Sequence, residues 1–129
     1  MRAINVLVVD DIQVMRGLLI SSLRMLDIIE VQEAGNALTA LEIFNKSKID
    51  IVFLDINMPN TSGLTLLEQL RSLNPSIFII MVSGESSLDN VKKFIALGAK
   101  GFIVKPYTMV RIKAMIDKYN AENQIDLIS

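Results

Sequence analysis

Five short apolar stretches, each followed by a segment of helical periodicity, set the rhythm of the chain. The stretches are Ile4–Val9, Ile28–Gln32, Ile49–Leu54, Ile77–Val82 and Gly101–Val104. Several are continuously apolar rather than alternating, "VLVV" and "IFIIMV" above all. Such runs suit strands covered on both faces, as in a parallel sheet. Ile28–Gln32 is the weakest, with Glu30 inside it.

Between these runs, apolar residues recur at helical spacing. Val14, Leu18, Leu19, Leu23 and Leu26 mark one helix, and Ala37, Ala40, Leu41 and Phe44 a second. Leu64, Leu67, Leu70 and Leu73 mark a third. Leu88, Val91 and Ile95 mark a fourth, which Gly98 can stop in the left-handed conformation. The last runs from Met109 through Ile112 and Ile116 to Tyr119, with Thr108 as its N-cap after Pro106. Strand and helix thus alternate five times, which predicts right-handed crossovers and a doubly wound α/β domain.

Composition narrows the chemistry. A chain of 129 residues, 51% hydrophobic with mean hydropathy +0.44, is the size of one folded domain. A single domain over residues 1–129 is expected, with 120–129 ("NAENQIDLIS") extending the last helix or fraying. The net charge of −1 gives no electrostatic footprint for nucleic acid or an anionic membrane. No apolar run is long enough for a membrane span and the N-terminus is no signal peptide, so a cytoplasmic location is expected. Cysteine and histidine are both absent. Disulfides, thiolate metal sites and Ser-His triads are therefore excluded. Carboxylates, hydroxyls, lysines and backbone groups must carry any chemistry.

Ligands of an open α/β sheet bind beyond the carboxyl ends of its strands. Asp10 and Asp11 end the first strand, Asp55 the third, Ser83 the fourth and Lys105 the fifth. An isolated Asp after a strand is most often a turn former or helix cap. Four of five strands ending in a polar group at one edge is more specific than any of them singly. If the strand order is 2-1-3-4-5, three carboxylates, a hydroxyl and an ammonium converge. Unpartnered, the carboxylates would repel and raise one another's pKa. A hard divalent cation removes that repulsion, and Mg²⁺ takes oxygen ligands of this kind. Lys105 stands before Pro106, where the chain must turn sharply and a cis bond is one solution.

"VLVVDD", "VFLDINMPNTSGLTLLEQLR", "VSGES" and "GAKGFIVKPY" together resemble the response-regulator receiver domains, of the chemotaxis type that stands alone. The likeness covers Ile4 to Tyr119. It implies a flavodoxin-like fold, a five-stranded parallel sheet of order 2-1-3-4-5 flanked by five helices. It implies Asp55 as phospho-acceptor, with Asp11, Asp55 and the backbone oxygen of Asn57 as direct Mg²⁺ ligands. Asp10 would hold the ion through water, Ser83 bond the phosphoryl group and Lys105 pair with it. Pro59 and Gly63 match the loop after the acceptor. Ser83 and Phe102 would be the switch pair, Phe standing where the family often has Tyr. Asn57 and Glu85 would tune water access and so dephosphorylation. The donor would be a phosphohistidine on a kinase or phosphotransfer protein. The output partner would bind the face of the fourth helix, fifth strand and fifth helix, with Lys92, Phe94, Lys100, Phe102 and Met115 as candidate surface positions, ordinary core packing being equally open for Phe94 and Met115. The chain would be a signalling switch with Mg²⁺-dependent self-phosphorylation and autodephosphorylation, rather than an enzyme.

Two alternatives keep the fold: a phosphorelay intermediate, or the receiver part of a longer regulator. A haloacid-dehalogenase phosphatase uses similar groups but carries its paired acids late, whereas here they come early. No GxxxxGK[ST] or GxGxxG occurs, which argues against nucleotide binding.

Overall fold

The computed structural model describes residues 3–59, 62–84 and 88–123. Its elements are β1 (Asn5–Val9), α1 (Gln13–Met25), β2 (Glu30–Ala34), α2 (Ala37–Lys46), β3 (Ile51–Asp55), α3 (Gly63–Leu73), β4 (Phe78–Ser83), α4 (Leu88–Ala96), β5 (Gly101–Val104) and α5 (Met109–Asn123). The strands form one parallel sheet of order β2-β1-β3-β4-β5, as the resemblance implied. This is the flavodoxin-like architecture.

Alternation along each strand divides the core in two. Leu7, Val9, Val52, Leu54, Ile79 and Met81 face Ala40 of α2, Leu66, Leu67 and Leu70 of α3, and Phe94 of α4. Val6, Val8, Ile51, Phe53, Ile80, Val82 and Ile103 face Leu19, Ile20 and Leu23 of α1 and Ile112, Ile116 and Tyr119 of α5. Because β1, β3 and β4 are buried on both faces, they read as unbroken apolar runs rather than alternating ones.

β2 lies at an edge and is polar, "EVQEA", with Ala34 alone fully buried. The sequence places it two residues early because of Ile28. That residue is buried, but it belongs to the end of α1. Asp27 adopts φ +66°, its N–H reaches the Arg24 carbonyl, and the Ile28 N–H reaches the Leu23 carbonyl. This is a Schellman ending, whose apolar residue packs back on the helix. Two of the apolar positions that mark α1, Val14 and Leu18, are 70% and 54% exposed. The helix turns Leu19, Ile20 and Leu23 inward instead. Leu73 and Ile95, used to mark α3 and α4, are also exposed.

Helix ends follow local chemistry. Thr108 caps α5 through the Arg111 N–H, as expected, and Asn36 and Ser62 cap α2 and α3. The last described residue, Asn123, still belongs to α5, so the expected C-terminal tail lies largely outside the described residues. Gly98 ends α4 at φ +106°, with its N–H on the Ile95 carbonyl and the Ala99 N–H on the Phe94 carbonyl. The expected glycine stop is present. A Cβ here would run into the Arg71 side chain, which bonds the Leu97 carbonyl at 3.2 Å. Gly98→Ala should therefore destabilise the fold by about 1–3 kcal/mol in urea unfolding. Adding Arg71→Ala should recover the steric part of that loss but not the part due to φ.

Candidate functional site: an acidic cluster and a lysine at the sheet's carboxyl edge

The order β2-β1-β3-β4-β5 puts the ends of β1 and β3 side by side. Asp10 follows β1 and Asp55 ends β3, at 1% and 2% exposure. Asp11, next in the chain, is exposed. One carboxylate oxygen from each of Asp10, Asp11 and Asp55 lies within 4.8 Å of the others. The three acids found along the sequence therefore meet.

Each buried acid also serves its own loop. Asp10 Oδ1 accepts the Ile12 N–H at 2.9 Å, and Asp55 Oδ1 accepts the Asn57 N–H at 3.0 Å. The turn-former reading of an isolated Asp is thus correct for both, yet it accounts for one oxygen of each. The second oxygens turn toward Lys105, whose Nζ lies 3.1 Å from Asp10 Oδ2 and 3.4 Å from Asp55 Oδ2. Asp10 Oδ2 is buried without a well-aligned hydrogen bond. The ammonium is its compensation.

Lys105 reaches the cluster because β5 ends there and the chain turns at a cis Lys105–Pro106 bond, the geometry considered from the sequence. Its backbone N–H donates to the Ser83 carbonyl at 2.7 Å, tying the ends of β4 and β5. Ser83 is 4% exposed, one residue beyond the Val82 that pairs with Asp55. Asn57 is exposed; its N–H is engaged by Asp55. Pro59 is exposed and Gly63 opens α3. Gly63 packs so tightly that a Cβ would come within 2.9 Å of the Ile56 Cα.

Phe102 is half-buried on β5, opposite Met81, and packs against the core shared with α4. Lys92 and Lys100 are exposed as expected. Phe94 is not a surface residue: it is 6% exposed and belongs to the core, since its position on the amphipathic α4 faces the sheet. Met115 is half-buried, its sulfur filling the space left by Gly101. Glu85 lies outside the described residues.

Electrostatics follow from this crowding. Burial pushes the Asp55 carboxyl up and the Asp10 charge adds to that; the Asn57 N–H and Lys105 offset it in part. For Lys105, burial pushes downward, but hydrogen bonding to Asp10 and the charges of both acids win and raise it. The lysine is therefore a stable cation. Burial, with both acids nearby, also holds the Tyr107 phenol well above its ordinary range.

The cluster fits a hard cation. It offers oxygens alone, one buried oxygen lacks a good hydrogen bond, and two of its carboxylates are hidden from water. Opposite ligands of Mg²⁺ are about 4.2 Å apart, so the observed spread needs little contraction, and none for an acid reaching the ion through water. A cavity of about 670 Å³ lies elsewhere, at the opposite end of the sheet. Its cations are engaged: Arg71 with the Leu97 and Pro75 carbonyls, Lys118 with the Lys100 carbonyl, and Lys100 with Glu122.

Sequence reasoning did not single out Arg16 or Tyr107. Arg16 Nη1 donates to the Asp10 carbonyl at 2.7 Å and its Nε to Glu33 Oε1 at 2.8 Å. The signal was a lone basic residue in "DDIQVMRG", one helical turn inside α1.

The chain belongs to the response regulator receiver domain family, whose model matches residues 6–117. It is a CheY-like receiver of two-component signalling. It is 37% identical over 115 residues to the chemotaxis protein CheY of Listeria monocytogenes, covering 89% of this chain and 97% of that protein. It is 32% identical over 123 residues to the transcriptional regulatory protein MalR of Bacillus subtilis, covering 95% of this chain. There it spans about half of the relative's length, 52%. A CheY-like receiver domain structure from Methanospirillum hungatei superposes with a TM-score of 0.85 at 26% identity, covering 95% of this chain and 98% of that one. No helix among the described residues is long and apolar enough to cross a membrane.

A carboxyl whose pKa rises on folding stabilises the fold below its ordinary value of 3.8, and that contribution is lost as the pH climbs through the folded value. Ionised Asp55 therefore costs stability at neutral pH. Asp55→Asn should raise the thermal midpoint of the metal-free protein at pH 7, and the gain should fade in acid. Lys105→Ala should do the reverse, losing about 3 kcal/mol at pH 7 by leaving buried charge uncompensated.

Proposed function

We propose that Asp55 accepts a phosphoryl group from a phosphohistidine of a partner kinase or phosphotransfer protein, and that the domain signals through its α4-β5-α5 face. The observation that carries this is the meeting of Asp10, Asp11, Asp55 and Lys105 at one edge of the sheet. Asp11, Asp55 and the Asn57 carbonyl would bind Mg²⁺ directly, and Asp10 through water. When bound, the ion would neutralise the carboxylates and the charge developing on the phosphoryl oxygens.

The chain's own residues do the rest. Asp55 attacks as a carboxylate, so no general base is required and the lack of histidine is no obstacle. One Asp55 oxygen forms a bond to phosphorus as the donor's P–N bond breaks, and the imidazole leaves with the N–P electron pair. The Asn57 N–H on Oδ1 fixes the carboxylate plane. Lys105, 3.4 Å from Oδ2, shifts its pairing from carboxylate to phosphoryl oxygens. The Ser83 hydroxyl, at the end of the neighbouring strand, bonds the same group.

The added charge would then favour one arrangement of a two-state element. Ser83 moving toward the phosphoryl group changes the β4–α4 connection, and Phe102, half-buried on β5, follows it inward. Phe lacks a hydroxyl, so its inward state rests on packing alone. The named relative acting in chemotaxis supports a protein-binding output of that type. The match to MalR supports a second reading, in which the receiver governs transcription as part of a longer regulator.

Incubation with acetyl phosphate and Mg²⁺, followed by intact-protein mass spectrometry, should show one added phosphoryl group. Asp55→Ala, or omission of the metal, should show none. Multiple additions, or addition to Asp55→Ala, would reject Asp55 as the acceptor. Mg²⁺ at 100 times its Kd should also stabilise the fold by about 2.7 kcal/mol, read as a rise in Tm.

A further inference from the structure

We infer that Arg16 is a positioning residue for the metal site: it fixes the plane of the Asp10–Asp11 peptide and so aims the Asp11 carboxylate. The inference rests on the proposed Mg²⁺ site. Among the described residues Asp11 has no hydrogen-bond or ion-pair partner for its side chain, unlike Asp10 and Asp55. With no side-chain partner to hold it, its reach toward Asp10 and Asp55 depends on where its backbone places it. The peptide that carries Asp11 begins at the Asp10 carbonyl, and that carbonyl accepts the Arg16 Nη1–H at 2.7 Å. On the other side of Asp10, the N–H donates to the Ala34 carbonyl at 3.1 Å. The residue is thus held at both backbone polar groups, one by the sheet and one by Arg16. Rotation of the second peptide plane would swing Asp11 away from Asp10 and Asp55.

Arg16 is itself held. Its Nε donates to Glu33 Oε1 on β2 at 2.8 Å, and its side chain is only 15% exposed against 50% for Glu33. A planar guanidinium presents donors to both acceptors at once, whereas the point charge of a lysine cannot hold them in fixed directions. Room for it comes from Gly35, where a Cβ would stand 3.2 Å from Nη1. The path runs from β2 through Glu33 and Arg16 to the backbone that presents the ion's exposed ligand. Partners of this indirect kind commonly matter to metal affinity nearly as much as the ligands themselves.

The test compares wild type with Arg16→Ala, Arg16→Lys, Glu33→Gln and Asp11→Asn, using the full chain. Three quantities are read: Mg²⁺ affinity by calorimetry, Tm without metal, and the rate of phosphorylation by acetyl phosphate against Mg²⁺ concentration. Arg16→Ala and Arg16→Lys should raise the Mg²⁺ Kd about tenfold, and Glu33→Gln should raise it less. At saturating Mg²⁺ the phosphorylation rate should return to near that of wild type. A merely structural tie would lower Tm and leave the Kd unchanged, and that result would overturn the inference. Should Arg16→Ala not fold, Arg16→Lys and Glu33→Gln decide alone. If wild type binds no Mg²⁺, or Asp11→Asn binds it equally well, the metal-site reading itself fails and this inference with it.

Discussion

Two carboxylates are buried side by side at the end of this sheet, and the ammonium of Lys105 is what makes that tolerable. Asp10 and Asp55 each give one oxygen to a local N–H and the other to Nζ. The balance remains incomplete: Asp11 brings a third negative charge, and Asp55 is still pushed toward its neutral form. The fold therefore holds a site with a deficit of positive charge, already shaped before any ion or phosphoryl group arrives. An added cation relieves repulsion that folding has imposed. On the proposed function, an added phosphoryl group would find a lysine in place, whose present partners it would take over.

The rest of the architecture serves to maintain that stress. Parallel strands buried on both faces leave β1 and β3 little freedom to shift register, because a one-residue slip would exchange two separate apolar faces. The acids stand at the ends of these least movable strands. Lys105 arrives from β5, with its backbone hydrogen-bonded to the Ser83 carbonyl at the end of β4. Its counter-charge is thus attached to the part of the sheet nearest α4. The acidic cluster and the ends of β4 and β5 are linked through a short stretch of backbone.

Much of this was legible in the sequence, for a physical reason. Strands covered on both sides must be continuously apolar, so β1, β3 and β4 stand out; β5, though at an edge, is a short apolar run as well, and the polar residue after each run is visible at once. Gly98 and Thr108 announced helix ends through their own local chemistry. What failed was what depends on a neighbour. β2 is an edge strand with little apolar demand, and Ile28, which resembled its start, completes the α1 ending instead. Val14 and Leu18 kept helical spacing but look outward, since periodicity gives a face without saying which of two overlapping faces meets the sheet. For Phe94 the sequence leaves surface and core equally open; the amphipathicity of α4 turns it into the core. Arg16 was overlooked because its partners are a backbone oxygen and an acid on another strand, and no pattern in one sequence shows a contact with a carbonyl.

The edge strand has one further consequence. β2 carries Glu30, Gln32 and Glu33 as exposed side chains within five residues. Charge along an open margin discourages another chain from docking there as an extra strand. The sheet is thereby closed to growth on that side, and strand-to-strand aggregation is disfavoured even when the protein is abundant. Strand-by-strand growth is left to the opposite margin, β5, a strand of only four residues.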